Sequence, residues 1–195
     1  MNAAKRWTAA SLLCLALCCL GCGRKVERPS QVGVVPATTA APPTAKTVVL
    51  GPAVPVRSIK HDGLAEVLKE QQGKVVLLNF WSIDCPACLS EIPELIELRK
   101  EHEKDGLVVI GLNLDTPENA LARDRGQAFL RGVQANYLQL AASSQKDLEQ
   151  LLMGWEFSGL PQTFLYDRAG KRVKHIEGNY PKAIRAGVEE LLKQS

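Results

Sequence analysis

From residue 56 onward, short apolar runs alternate with segments in which apolar side chains recur every three or four positions. The runs predict buried strands and the periodic segments predict helices. Lys74–Trp81 (KVVLLNFW) and Leu107–Leu114 (LVVIGLNL) are the two strongest strands. Asp62–Gln71 reads as a helix stopped at Gly73, and Pro86 opens a second helix to about Lys104. Proline suits a first helical turn, whereas Pro93, inside the same helix, should kink it. Thr116-Pro117-Glu118 supplies a cap residue and a first-turn proline for a third helix to about Arg131. A short strand at Tyr137–Leu140 and a helix at Gln145–Met153 follow. TFLYDRAGKRVKHIEG then makes two strands around the turn Asp167–Gly170, before a final helix from Pro181 to about Lys193. From the strand at 74 the order is β-α-β-α-β-α-β-β-α, which predicts an α/β sheet with some parallel pairing.

The first 55 residues follow a different pattern. Lys5 and Arg6 precede an apolar run from about Thr8 to Leu20, too short to span a bilayer, and small residues follow at Gly21. Residues 1–21 therefore read as a signal peptide. Leu20-Gly21-Cys22 resembles a lipobox, with Cys19 standing where that signal prefers Leu. The resemblance implies cleavage before Cys22 and its lipidation; a simple secretory signal followed by a stray thiol is the alternative. Residues 22–55 are rich in Pro, Thr, Ala and Val and hold no period for long. Such a stretch buries too little to offset its ordering entropy and is expected to be a tether. Residues 46–59 are expected to add a short edge strand, and 56–195 to form one domain.

Export changes the cysteine arithmetic. Of six cysteines, Cys14, Cys18 and Cys19 leave with the signal, Cys22 is consumed by lipid, and Cys85 and Cys88 remain. In an exported protein two neighbouring thiols point to disulfide chemistry. No metal site is expected, because His61, His102 and His175 are scattered singly. The formal charge of +3 falls to about +1 once Lys5 and Arg6 are removed, which gives no electrostatic case for nucleic acid.

The remaining pair sits in WSIDCPACLSEIP, where a strand gives way to a helix. Unpaired N–H groups and the dipole at a helix start favour an anion, so Cys85 is the expected nucleophilic thiolate. Cys88, three residues on, returns to the same face and can resolve a mixed disulfide. The exchange needs no cofactor. A purely structural disulfide is the alternative, though so small a loop constrains the unfolded chain little.

VVLLNFWSIDCPACLSEIPEL resembles the active-site segment of the thioredoxin superfamily, and within it the TlpA-like and ResA-like membrane-anchored thiol-disulfide oxidoreductases. GLPQTFLYDRAGKRV resembles the segment that carries the superfamily's cis-proline, here Pro161. The resemblance implies a thioredoxin-like fold, a central mixed β-sheet flanked by helices on both faces. It also implies that Leu160 and Pro161 border the cysteines and dock an extended substrate chain. Glu91 matches a glutamate that this group connects with proton handling; the alternative is a solvated helix glutamate. Trp81 is expected as a partly exposed wall of the site, with Asp84 and Pro86 also among the substrate-binding residues, and Phe80 as packing. Trp155 and Phe157 read as core or rim aromatics.

Two departures stand out. Asn79 replaces the buried Asp of ordinary thioredoxins and cannot act as a base, which moves the proton question toward Glu91, water or the substrate. Asp84 replaces the usual Trp before the first cysteine; its charge should disfavour the thiolate, or its side chain should cap the helix.

The resemblance implies an envelope enzyme that reduces disulfides of exported cysteine-containing proteins, apocytochrome c among them, and is recycled by a membrane thiol donor. The CPAC pair lacks the central histidine of strongly oxidising CPHC relatives, so a potential toward the reducing end is expected. Two other readings share the scaffold: a peroxidase, although NFWSIDC lacks the PxxxTxxC pattern, and a binding lipoprotein that holds a partner in the cis-proline groove.

Overall fold

The computed structural model describes residues 52–155 and 157–194; the signal segment, Cys22 and most of the tether lie outside the described residues. The elements are β1 Val56–Ile59, α1 Gly63–Glu70, β2 Val75–Trp81, α2 Pro86–His102, β3 Leu107–Asn113, α3 Ala120–Gly132, β4 Leu138–Ala142, α4 Gln145–Met153, β5 Gln162–Tyr166, β6 Arg172–Glu177 and α5 Pro181–Leu192. Six strands form one sheet in the order β1-β4-β3-β2-β5-β6. The β1/β4, β4/β3 and β3/β2 pairs are parallel, and β2/β5 and β5/β6 are antiparallel. This is the thioredoxin-like α/β fold, a central mixed sheet with helices on both faces.

Alternation along the strands divides the core in two. Val75, Leu77 and Trp81 of β2 face a layer that includes Ile92 and Leu95 of α2, Leu130 of α3 and Val188 of α5. Val76, Leu78 and Phe80 face the opposite layer, which holds Leu64 and Val67 of α1 and Leu151 of α4. All seven residues of β2 are buried, as expected for a central strand covered twice. The edge strand expected within residues 46–59 is β1, and Val54 just ahead of it is already packed in the core.

One expectation is corrected. The third helix starts at Ala120, not at Thr116, because the Asn119 side chain accepts the Ala122 N–H at 3.0 Å and takes the cap. The Thr116–Asn119 stretch is instead a turn, closed by Asn119 N–H to the Thr116 carbonyl at 2.9 Å. α2 spans Pro86–His102, with Pro93 within it as expected. Among the described residues, no helix is long and apolar enough to cross a membrane.

Candidate active site

β2 carries the chain to the carboxyl end of the parallel strands, where sites gather in sheets of this kind. There the turn Ser82–Asp84 delivers Cys85 as the cap of α2, with extended φ and ψ of −107° and 97°. Cys85 and Cys88 form a disulfide with Cα atoms 5.3 Å apart. The Cys88 N–H points at Cys85 Sγ from 3.1 Å, the bond a side-chain cap would make. Cys85 is half-buried and Cys88 fully buried. An incoming sulfur therefore meets Cys85 first.

Beneath Cys88, Glu91 is fully buried on the face of α2 that meets the sheet. Asn79 Nδ2 donates to Glu91 Oε2 at 2.8 Å and lies 3.1 Å from Thr163 Oγ1 on β5. Burial pushes the Glu91 carboxyl up to about 7, against the opposing pull of the Asn79 hydrogen bond. The solvated alternative for this residue does not hold. A carboxyl that changes charge near neutrality, one helical turn from Cys88, is suited to exchange a proton with it.

The Leu160–Pro161 peptide is cis. Pro161 is buried and Leu160 half-buried, the latter packed with Cys85 and Leu89 against the core cluster that contains Cys88. The Pro161 carbonyl accepts from Gly178 N–H at 2.9 Å. The next residue, Asn179, donates to the Ala87 carbonyl at 3.2 Å and to Ser90 Oγ at 2.8 Å. Residues 178–179 thus tie the cis-proline segment to the first turn of α2, where Pro86 is exposed.

Trp81 is corrected from a partly exposed wall to a core residue, only 1% exposed. It points into the layer beneath α3, against Phe129, and its Nε1–H donates to Gln139 Oε1 at 3.1 Å. Gln139 reaches it by lying across Gly111, where a Cβ would stand 2.4 Å from Oε1. A cavity of 270 Å³ adjoins the pair, lined in part by Val56, Asn113, Gly126 and Leu130. Phe80 is buried and packs on Trp155 and Phe164, and Phe157 is exposed.

Asp84 does not cap α2; it is exposed and pairs with Arg125 of α3 at 2.8 Å. Arg125 drew no attention in the sequence, and neither did Asp115, which accepts from Ser82 and Ile83 in the turn before Cys85. The available signal for Asp115 was its place just past a buried parallel strand. Among the described residues, no group of three or more His, Cys, Asp or Glu side chains is placed to hold a metal ion.

Comparisons with known proteins agree with this fold. The AhpC/TSA family matches residues 52–176. The thiol:disulfide interchange protein HelX of Rhodobacter capsulatus is 34% identical over 109 residues, 55% of this chain and 54% of that protein. The thiol-disulfide oxidoreductase ResA of Bacillus thuringiensis subsp. konkukian is 30% identical over 127 residues, 65% of this chain and 66% of that protein. These matches span about half to two-thirds of each relative's length. Among solved structures, a thiol-disulfide isomerase from Corynebacterium glutamicum superposes with a TM-score of 0.57 at 17% identity, covering 74% of this chain and 98% of that one. The thioredoxin domain of a thiol-disulfide oxidoreductase from Bacteroides vulgatus gives 0.56 at 21% identity, covering 75% and 100%. Both establish the fold.

Proposed function

We propose that this chain, which belongs to the AhpC/TSA family, is a thiol-disulfide oxidoreductase of the bacterial cell envelope that reduces disulfides in exported proteins. The observation that carries the reading is the Cys85–Cys88 disulfide, with one cysteine half-buried at a helix cap and the other fully buried. The names of HelX and ResA support it. The signal-like segment and Cys22 support a lipid anchor that leaves the domain on the periplasmic or outer face, and apocytochrome c cysteines are the substrates this group suggests.

In the reduced protein, Cys85 thiolate attacks one sulfur of a substrate disulfide; a mixed disulfide forms and the other substrate sulfur leaves as a thiolate. Cys88 then gives its proton to the Glu91 carboxylate and attacks Cys85 Sγ. The Cys85–Cys88 disulfide closes, the second substrate sulfur leaves, and the substrate has gained two electrons. A membrane thiol donor reverses the sequence and restores the dithiol. Leu160 and Pro161 hold the extended substrate chain beside Cys85 during attack.

Replacement of Cys88 by Ser removes resolution and leaves attack intact. Mixed disulfides between Cys85 and exported proteins should then accumulate in the envelope; their absence would favour a binding lipoprotein that uses the same groove without turnover. A potential above about −150 mV would make the protein an oxidase instead.

Membership in the AhpC/TSA family favours a second reading, a peroxidase on the same scaffold. Peroxide consumption that needs Cys85 and survives Cys88→Ser would establish it.

A further inference from the structure

Three consecutive backbone N–H groups lead into the nucleophile, and all three are engaged by one small network. Ile83 N–H donates to Asp115 at 3.1 Å. Asp84 N–H donates to Ser82 Oγ at 3.2 Å, and that hydroxyl donates to Asp115 Oδ1 at 2.6 Å. Cys85 N–H donates to the Ser82 carbonyl at 3.2 Å. Asp115 is itself held: Asn113 Nδ2 donates to its Oδ2 at 2.8 Å, and its own N–H donates to Asn113 Oδ1 at 3.0 Å. It is only 9% exposed. α3 closes over it at Gly126, where a Cβ would stand 4.0 Å from Asp115 Oδ2.

We propose that Asp115, acting through Ser82, is the positioning residue that fixes Cys85 at the cap of α2. The inference rests on the exchange function proposed above and deepens it. Geometry carries the argument. A cap works only if its side chain is held over the first turn, and Cys85 Sγ has one N–H donor there, from Cys88. The preceding turn has no regular secondary structure of its own, so its N–H groups would otherwise turn to water. A carboxylate at the end of β3 fixes them against a strand that cannot move without breaking the parallel register of β2 and β3. Charge-assisted bonds to a buried acceptor are the strong kind.

Once the Ser82–Asp115 link is cut, the backbone of Cys85 is held only by its N–H to the Ser82 carbonyl and by the Leu89 N–H to its own carbonyl, and the Cys85 side chain is less firmly fixed over the cap. Its thiolate then loses the Cys88 N–H and the field of the helix start. The charged and titratable groups that these elements bring toward the cysteines are Asp84 with its partner Arg125 of α3, Asp115 after β3 and Glu91 on α2.

The test compares Ser82→Ala, Asp115→Asn and Ser82→Thr in the reduced protein, reading the pH profile of Cys85 alkylation beside the melting temperature. Ser82→Ala keeps every charge and removes the link, so its alkylation midpoint should rise and its rate at pH 7 should fall roughly tenfold, the scale of one lost charged hydrogen bond. Asp115→Asn should shift the midpoint the same way, and Ser82→Thr, which keeps the hydroxyl, should restore the wild-type profile. An unchanged midpoint in Ser82→Ala with a lowered midpoint in Asp115→Asn would mean that Asp115 acts by charge alone, overturning the proposal. Unchanged midpoints with lowered melting temperatures would reduce the network to a structural role, also overturning it. Alkylation reads the positioning without a protein substrate, so a Cys88→Ser protein that traps no substrate would sink the exchange function separately.

Discussion

Asn79 and Glu91 are joined by a 2.8 Å hydrogen bond between the central strand and the active-site helix, with both side chains fully buried. The buried carboxyl on the cysteine-bearing helix belongs to Glu91, and the strand residue Asn79 is its hydrogen-bond donor. An amide donor always favours the charged form of its partner, whereas burial opposes it, and burial is the larger influence here.

Glu91→Gln should make stability less dependent on pH. The Glu91 carboxyl titrates at about 7 when folded, against 4.5 for the free group, so the folded state binds more protons between those values. Wild-type stability from this group is complete below about pH 4.5, falls as pH rises to about 7 and is flat beyond. The glutamine variant lacks that loss. Its stability relative to wild type should rise by about 3 kcal/mol across the window, the equivalent of the shift. Urea unfolding of the oxidised proteins at pH 4.5, 6 and 8 measures it; a constant difference would refute the assignment.

Asn79→Ala should raise the Glu91 midpoint still further, because it removes the one influence that lowers it. An increase on the order of one pH unit is expected for losing a hydrogen bond to the charged form. Carbon-13 titration of the Glu91 carboxyl reads this directly. A fall in the midpoint would show that the Asn79 hydrogen bond does not hold the carboxyl down.

Most of the frame was legible because it is written locally. KVVLLNFW and LVVIGLNL are too apolar to be anything but covered strands, and CPAC brings its two sulfurs together within one helical turn. What was not legible depends on which strands lie side by side. Gln139 meets Trp81 only because β3 separates their strands and presents Gly111 between them. Trp81 ends a strand and so looked like a wall of the site, but its parity with Val75 and Leu77 turns it inward under α3. Arg125 reaches Asp84 from a helix 41 positions away.

Gly111→Ala should disturb that long-range contact. A methyl group at 111 would stand 2.4 Å from Gln139 Oε1, so the glutamine side chain must leave and Trp81 Nε1–H loses its acceptor. A stability loss of about 1–3 kcal/mol is expected from overpacking and an unsatisfied buried donor. Trp81 fluorescence should shift, with the Cys85 alkylation profile unchanged. A variant as stable as wild type would show that Gln139 is free to move.

Arg125→Gln tests how the charge beside the nucleophile is balanced. Asp84 immediately precedes Cys85, and its carboxylate is paired with Arg125 at 2.8 Å. With the guanidinium removed, the full negative charge of Asp84 bears on Cys85 and disfavours its thiolate, so alkylation at pH 7 should slow. Both partners are about half exposed, with side-chain accessibilities of 51% and 65%, so the pair is screened and the effect should be modest, roughly twofold to threefold. It should also fade in 1 M salt, where the Debye length shrinks to about 3 Å. Asp84→Asn should act in the opposite sense, and in the double variant the Arg125 substitution should have little further effect. If Arg125→Gln slows alkylation equally at low and high salt, Arg125 works by holding the turn in place rather than by neutralising Asp84.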